Sequence, residues 1–291
     1  MGNCTSFTSP KWRLSELHSN GMVSVDEDGT HEGIKIIRIQ KACEFTTNSV
    51  LCVCIITWNM NGKMSVDDVT KLVSSNRKFD LLVVGLQEVP KCDVAQVLQE
   101  TMVETHILLC QKAMQSLQMF LFGAKSSEKY IRGGQACSWR LRGYNWKKER
   151  SCSHVHQFQW DQYGFYILPS CRLEGISSIP ARKLIEENRQ SKLSGKDQLL
   201  QEAEKGEIFN GYCEGTLLFK PTYKYNIGSS NYDTSHKIRV PSWTDRILFK
   251  VDHSSGLGAI LSSYEALDCI RSSDHKPVRA HLCLKVHDDS A

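Results

Sequence analysis

Five polar clusters stand at the ends of apolar runs, and they hold the side chains with the most chemistry to offer. They are Asn59 and Asn61, Gln87 and Glu88, Tyr223 and Lys224, Asp245 and Arg246, and Asp274 and His275. Asn59 and Asn61 are two apart, so on a strand both face one site. Glu88 follows LLVVGLQ and is a carboxylate at the exit of a buried strand. A hard cation such as Mg²⁺ takes one or two carboxylates and completes its shell with substrate oxygens and water. Glu88 with an asparagine meets that need, although Asn-Gly after a strand is equally a plain turn. Asp274-His275 follows two serines and offers an imidazole to a phosphate. In PSWTDRIL an acid and an arginine stand side by side. Asp245 then has two readings. Either it accepts a hydrogen bond from one nitrogen of His275, fixing the ring and favouring its charged form, or it pairs locally with Arg246 or Lys250, because a buried charge needs a partner.

The elements that position these groups follow from hydrophobic patterning. GIKIIRIQ (33–40) reads as a strand. LCVCIITW (51–58) and FDLLVVGLQE (79–88) are nearly continuous apolar runs, the mark of strands buried on both faces. Between them SVDDVTKLV (65–73) reads as a helix, with Ser65 as N-cap, acids in the first turn and Val66, Val69 and Val73 on one face. Residues 93–122, 172–190 and 194–209 are expected to be helical, the last with Ser194 as N-cap. Residues 217–251 read as two strands around a long polar loop. In VRAHLCLKV (278–286) the alternation of Val278, Ala280, Leu282, Leu284 and Val286 predicts a half-buried closing strand. Buried strand, helix, buried strand points to a layered α/β architecture. Residues 133–171 have no helical period and little alternation, and are expected to lack regular structure.

Of 291 residues, 41% are apolar and 23% charged, as in a soluble globular domain. No apolar run reaches the roughly 18 residues that span a bilayer. A formal charge of +4 suits an anionic substrate or an acidic membrane surface and is too mild to demand nucleic acid. Twelve scattered cysteines, with no C-x-x-C pair, read as reduced thiols of a cytoplasmic protein. The opening MGNCTS fits N-myristoylation at Gly2, with Cys4 as a site for a second acyl anchor. The chain therefore divides into an arm, 1–48, with a lipidation pattern, and a catalytic-type domain, 49–291, interrupted by the aberrant segment 133–171.

TWNMNG, GLQEVP, KPTYKY, YDTSHKIRVPSWTDRIL and SSDHKPV, in this order, resemble the inositol polyphosphate 5-phosphatases, closest to their plant branch. The resemblance covers residues 50–132 and 172–286. PSWTDRIL and PTYKY are particular to that family; the SDH and WNxNG motifs belong to its wider endonuclease/exonuclease/phosphatase superfamily. It implies an α/β fold of two packed β-sheets flanked by helices, a four-layer α/β/β/α sandwich, here incomplete. It also implies Mg²⁺-dependent removal of the 5-phosphate from phosphoinositides or soluble inositol polyphosphates. Carried over by motif, Glu88 and one or both of Asn59 and Asn61 serve the metal. His275 contacts the scissile phosphate, Asp245 orients it, and Asp274 lies close to metal and attacking water. Tyr223, Lys224, Lys237 and Arg239 hold the neighbouring phosphate. The residue types agree, since a hydroxyl, point charges and a planar fork suit a multiply phosphorylated ring. A monomer is expected, with peripheral membrane contact and no nucleic-acid partner.

The resemblance fails abruptly inside 133–171. Three interior motifs are absent, and the connection is shorter than the family requires. ILPSCR (167–172) occupies the place of the last motif, with Leu168 where the catalytic aspartate belongs and Ser170 where an asparagine belongs. SCSHVH (151–156) is at most an incidental echo of the histidine motif. Motifs intact on both sides of a sharp break point to a removed interior rather than to even divergence. The expectation is an enzyme by descent with little or no turnover; the alternative is a non-catalytic phosphoinositide or membrane binder. A nuclease is disfavoured by PTYKY and by the modest charge.

Overall fold

The computed structural model describes residues 33–40, 50–76, 78–127, 138–142, 155–160, 163–169, 172–205, 209–251 and 258–285; for 138–142, 155–160, 163–169 and 251 only the backbone is described. The strands are β1 (Lys35–Ile37), β2 (Val50–Asn59), β3 (Leu81–Gln87), β4 (His106–Met114), β5 (Leu117–Ala124), β6 (Ser138–Arg142), β7 (Val155–Trp160), β8 (Tyr163–Pro169), β9 (Cys213–Gly215), β10 (Asp245–Val251), β11 (Ala259–Ala266) and β12 (Val278–Lys285). The helices are α1 (Val66–Ser74), α2 (Val94–Met102), α3 (Ser178–Glu186) and α4 (Gln198–Glu204). One sheet has the order β1-β9-β10-β8-β7-β6, the other β11-β12-β2-β3-β5-β4.

Side chains from both sheets meet in one core. Val53, Ile55, Leu81, Val83 and Leu121 come from the second sheet, and Ile247 and Phe249 from the first. The outer face of the second sheet is covered by α1 and α2 through Val69, Leu72, Val73, Leu98 and Met102. The first sheet's side is covered by α3 and its neighbours around Trp243, Leu173, Ala181 and Ile185. This is the four-layer arrangement, and it follows from β2 and β3 being apolar on both faces. The closing strand behaves as expected, with Val278, Ala280, Leu282 and Leu284 in the inter-sheet core; Val286 lies outside the described residues. Ser65 caps α1 by accepting from the Asp68 N–H at 3.2 Å. Val69 and Val73 are buried on the helix's inner face, whereas Val66 is exposed.

Four expectations are corrected. Residues 93–122 are one short helix followed by the β4–β5 hairpin, not a long helix. The hairpin turns at Gln115, whose φ of 55° sits in the left-handed region without the usual Gly or Asn signal. Segment 133–171 contains β6, β7 and β8, which pair antiparallel with one another and extend the first sheet beyond β10. The cap of α4 is Asp197, which accepts from the Leu200 N–H at 3.1 Å; Ser194 lies one turn earlier, in a 3-10 segment. Within 217–251 only β10 is an extended strand. The remainder is held by isolated bridges such as Tyr223 to Ser242 and Tyr223 to His275.

Gly215 marks a close approach between the sheets. A Cβ there would lie 2.6 Å from the Leu261 side chain and 2.7 Å from the ring of Tyr264. The bare backbone lets Tyr264 cross from β11 to reach Glu214 on β9, where its hydroxyl donates at 2.8 Å. Gly215→Ala is expected to lower stability by about 1–3 kcal/mol through overpacking, measurable as a fall in the urea midpoint.

Candidate active site

The two charges in PSWTDRIL separate because consecutive strand residues face opposite ways. Arg246 turns into a closed ionic cluster. Its Nε donates to Glu214 at 2.6 Å, its Nη1 to Asp197 at 2.8 Å and its Nη2 to the second oxygen of Glu214. All three side chains are buried. Asp197 uses its other oxygen to cap α4, so Arg246 ties that helix to the sheet. The local Asp245–Arg246 pair is thereby ruled out.

Asp245 instead faces His275, thirty residues on. The imidazole Nδ1 lies 3.0 and 3.2 Å from the two carboxylate oxygens. Thr222 and Thr244 each donate a hydroxyl to Asp245 Oδ2, at 2.7 and 2.8 Å. Three side chains thus converge on a fully buried carboxylate and supply the hydrogen bonds that water would otherwise give it. Burial pulls the His275 pKa down, but Asp245 outweighs it, and Asp274 and Glu88 add to the upward pull, so the net shift is above the usual 6.5. With Nδ1 committed to Asp245, Nε2 is the nitrogen left for a ligand. The sign follows: this pairing stabilises the fold fully below pH 6.5, and the contribution is lost as pH rises through the higher folded value.

Glu88 and Asn59 meet at the ends of β3 and β2, where Asn59 Nδ2 donates to Glu88 Oε1 at 3.0 Å. The parallel register aligns Asn59 with Gln87, which brings these ends together. Asn61 joins through its backbone, donating to Asn59 Oδ1 at 2.9 Å. Glu88 and Asn61 both hold left-handed φ values, 49° and 51°. Such values are uncommon for residues with side chains and cluster at functional bends. The two halves of the site are joined by Ser273, which donates to the Asn59 carbonyl at 2.6 Å and accepts from the His275 N–H at 3.1 Å. Asp68 of α1 accepts from the N–H groups of Arg271 and Ser272, fixing the loop that leads to His275.

Asp274 is paired with Lys224 at 3.1 Å. Burial lowers the Lys224 pKa, Asp274 raises it more, and the net is upward. The ring of Tyr223 lies 4.4 Å from that of His275. Lys237 and Arg239 stand exposed on a loop organised by Asp233. That buried carboxylate accepts from the N–H groups of Ser235 and Arg239 at 3.0 and 2.9 Å, and its own N–H bonds the Lys224 carbonyl. Burial alone would raise its pKa; those donors bring it down to about 2. Its contribution to stability is present above about pH 3.8 and is lost as pH falls toward 2. Asp233→Ala is expected to free the loop and weaken binding of a phosphorylated ring by about tenfold, read by calorimetric titration with inositol 1,4,5-trisphosphate.

The structure thus brings Asn59, Asn61, Glu88, Tyr223, Lys224, Asp245, Asp274 and His275 around one region, with Lys237 and Arg239 on the adjoining loop. Gly2 and Cys4 lie outside the described residues. Thr222, Thr244, Ser273, Asp68 and Asp233 were not singled out by sequence reasoning. Four of them, all but Asp68, lie within the quoted motifs, but a hydroxyl or acid near a strand end is too common to stand out. Among the described residues no three His, Cys, Asp or Glu side chains form a metal cage. A single carboxylate steadied by an amide still fits Mg²⁺, which takes most of its ligands from water and phosphate.

Residues 56–164 and 170–281 match the model of the endonuclease/exonuclease/phosphatase family 2. Type IV inositol polyphosphate 5-phosphatase 11 of Arabidopsis thaliana is 46% identical over 331 residues, covering 98% of each chain. The chain therefore belongs to the inositol polyphosphate 5-phosphatases of that family. The alignment is longer than the 291 residues of this chain, so the relative carries residues with no counterpart here. Among solved structures, the 5-phosphatase domain of SPsynaptojanin, in complex with inositol (1,4)-bisphosphate and calcium ion, superposes with a TM-score of 0.66 at 19% identity, over 81% of this chain and 86% of that one. A Cimex nitrophorin superposes with a TM-score of 0.67 at 19% identity, over 82% of this chain and all of the other. At such identities the likeness shows the fold alone.

Proposed function

We propose that this site binds the 5-phosphate of a phosphoinositide or soluble inositol polyphosphate, with Mg²⁺ held by Glu88 and Asn59, and that this chain hydrolyses it at a strongly reduced rate. The observation that carries the reading is the Asp245–His275 pair, held next to Glu88 by segments far apart in sequence. Protonated His275 presents Nε2–H to a phosphoryl oxygen and offsets charge that grows in the transition state. Lys224, Tyr223, Lys237 and Arg239 supply cationic and hydroxyl contacts to the adjacent phosphate. Bound Mg²⁺ would neutralise phosphate charge and polarise the phosphoryl group.

The reduced rate rests on β8. This strand pairs with β10 so that Leu168 stands opposite Arg246 and Pro169 opposite Asp245. It therefore reaches the site beside Asp245, and the resemblance requires an aspartate and an asparagine at its end. The chain has Leu168 and Ser170. The same observation favours the second reading, a binder that retains the phosphate contacts without turnover.

Phosphate release from PI(4,5)P2 and from inositol 1,4,5-trisphosphate, with and without Mg²⁺, decides between them. Slow Mg²⁺-dependent release supports the first reading; binding that is lost in Lys224→Ala, with no release, supports the second. Neither release nor binding would overturn both.

Peripheral contact with a cytoplasmic membrane face is part of the proposal. Ile238 lies between Lys237 and Arg239 and is 49% exposed; Ile179 is 78% exposed. Ser178 donates its hydroxyl to the Arg239 carbonyl, which holds Ile179 beside that loop. Apolar side chains flanked by cations suit an anionic bilayer. Ile179→Ser with Ile238→Ser, which removes apolar surface without adding charge beside Lys237 and Arg239, is expected to lower partition onto PI(4,5)P2 vesicles about tenfold or more, while affinity for soluble inositol trisphosphate stays unchanged. Vesicle sedimentation measures the first and calorimetry the second.

A further inference from the structure

β2 and β12 place Cys52 directly opposite Cys283 in antiparallel register. The backbone of Cys52 shows which kind of pair this is. Its N–H donates to Asp80 Oδ2 at 2.8 Å, and its carbonyl accepts from the Asp80 N–H at 2.9 Å. Both backbone groups therefore point toward the β3 side and away from β12. Cys52 and Cys283 form a non-hydrogen-bonded pair, the closer of the two antiparallel kinds, with Cα atoms about 4.5 Å apart. That spacing lies inside the roughly 4.4–6.8 Å window of disulfides, with Cβ atoms facing each other. Both residues are in the thiol form. Among the described residues no other two cysteines face each other across a strand pair.

We infer that Cys52 and Cys283 are an oxidation site that closes to a cross-strand disulfide when a peroxide reaches it. Cys52 is half-buried and accessible to a small oxidant, and Cys283 is buried behind it. A hydrogen bond from Cys283, helped by Lys78, lowers the Cys52 pKa against burial and Asp80, so Cys52 is the attacking thiolate. It attacks one oxygen of hydrogen peroxide and breaks the O–O bond. The product is a sulfenic acid, and the released hydroxide takes up the proton that Cys52 gave away. The Cys283 sulfur then attacks the Cys52 sulfur. The S–O bond breaks, and hydroxide leaves as water with the Cys283 proton. One peroxide and two thiols yield one disulfide and two waters. Cys54, two residues on, is fully buried with its thiol pushed well up by desolvation, and it stands opposite His281, so it does not compete.

The bridge would join the strand that leads to Asn59 with the strand that follows His275. At about 3.3 Å per residue it sits roughly 20 Å from Asn59, so it braces the scaffold without touching the site.

The test treats the folded full-length protein with graded hydrogen peroxide, alkylates the remaining thiols, and maps peptides without reduction. A linked Cys52–Cys283 peptide is expected at doses that leave Cys54 reduced, is reversed by dithiothreitol, and is absent in Cys52→Ser and in Cys283→Ser. The inference is overturned if both thiols remain alkylatable at doses that oxidise the exposed Cys92, or if the link forms only after denaturation. Because the readout is wild-type peptide mass, it does not depend on the serine variants folding or on the phosphatase reading.

Discussion

Arg246→Ala is expected to destabilise the protein by about 3–5 kcal/mol, enough to remove much or all of the stability of an ordinary domain. The truncation leaves Glu214 and Asp197 buried with their cation gone. Tyr264 still donates to Glu214 and the α4 amide still bonds Asp197, but neither replaces a charge. Urea denaturation followed by far-UV circular dichroism measures the loss as a fall in midpoint. Replacing the cluster together, Arg246→Met with Glu214→Leu and Asp197→Asn, should recover a large part of it, since a buried ion cluster is costly to break but not to exchange for apolar packing. In that triple variant the asparagine side-chain oxygen introduced by Asp197→Asn still caps α4. A loss below about 1 kcal/mol for Arg246→Ala would mean the three groups are not desolvated together.

The second large effect is on rate. Against a family member whose interior carries the aspartate and asparagine, this chain should release phosphate at least about 10⁴-fold more slowly. Loss of a general base costs roughly 10²–10⁴, and loss of one transition-state donor roughly 10²–10³. The comparison needs matched Mg²⁺ and substrate, with kcat/KM as the readout. Parity between the two proteins would show that β8 or another segment supplies the missing groups, and would end the proposal of reduced turnover.

Much of the site was legible because it is built from strand ends. TWNMNG, GLQEVP and SSDHKPV each follow or precede an apolar run, and the parallel pairing of β2 with β3 brings the first two together. Asp245 remained ambiguous in sequence, because nothing local shows which face of β10 holds a partner. The fold resolves it by giving Arg246 two remote acids and Asp245 a remote imidazole. The β4–β5 hairpin was hidden because its turn residue, Gln115, adopts a left-handed φ that sequence signals assign to Gly or Asn. The signals for β6 to β8 are short, an alternation in SWRLR and an apolar run in YGFYILP, and the Arg, Lys, Gln and Trp around them obscure both. The supporting hydroxyls and acids, Thr222, Thr244, Ser273 and Asp68, act only through long-range contacts that no local pattern encodes.

The ionisation of His275, followed by NMR of the imidazole carbon-bound protons across pH, tests the assembly of the site most directly. A pKa above 6.5 is expected in the parent protein, falling in Asp245→Asn and, by a smaller amount, in Glu88→Gln. An imidazole that titrates at its ordinary value and ignores both substitutions would show that these carboxylates do not share a cleft with it.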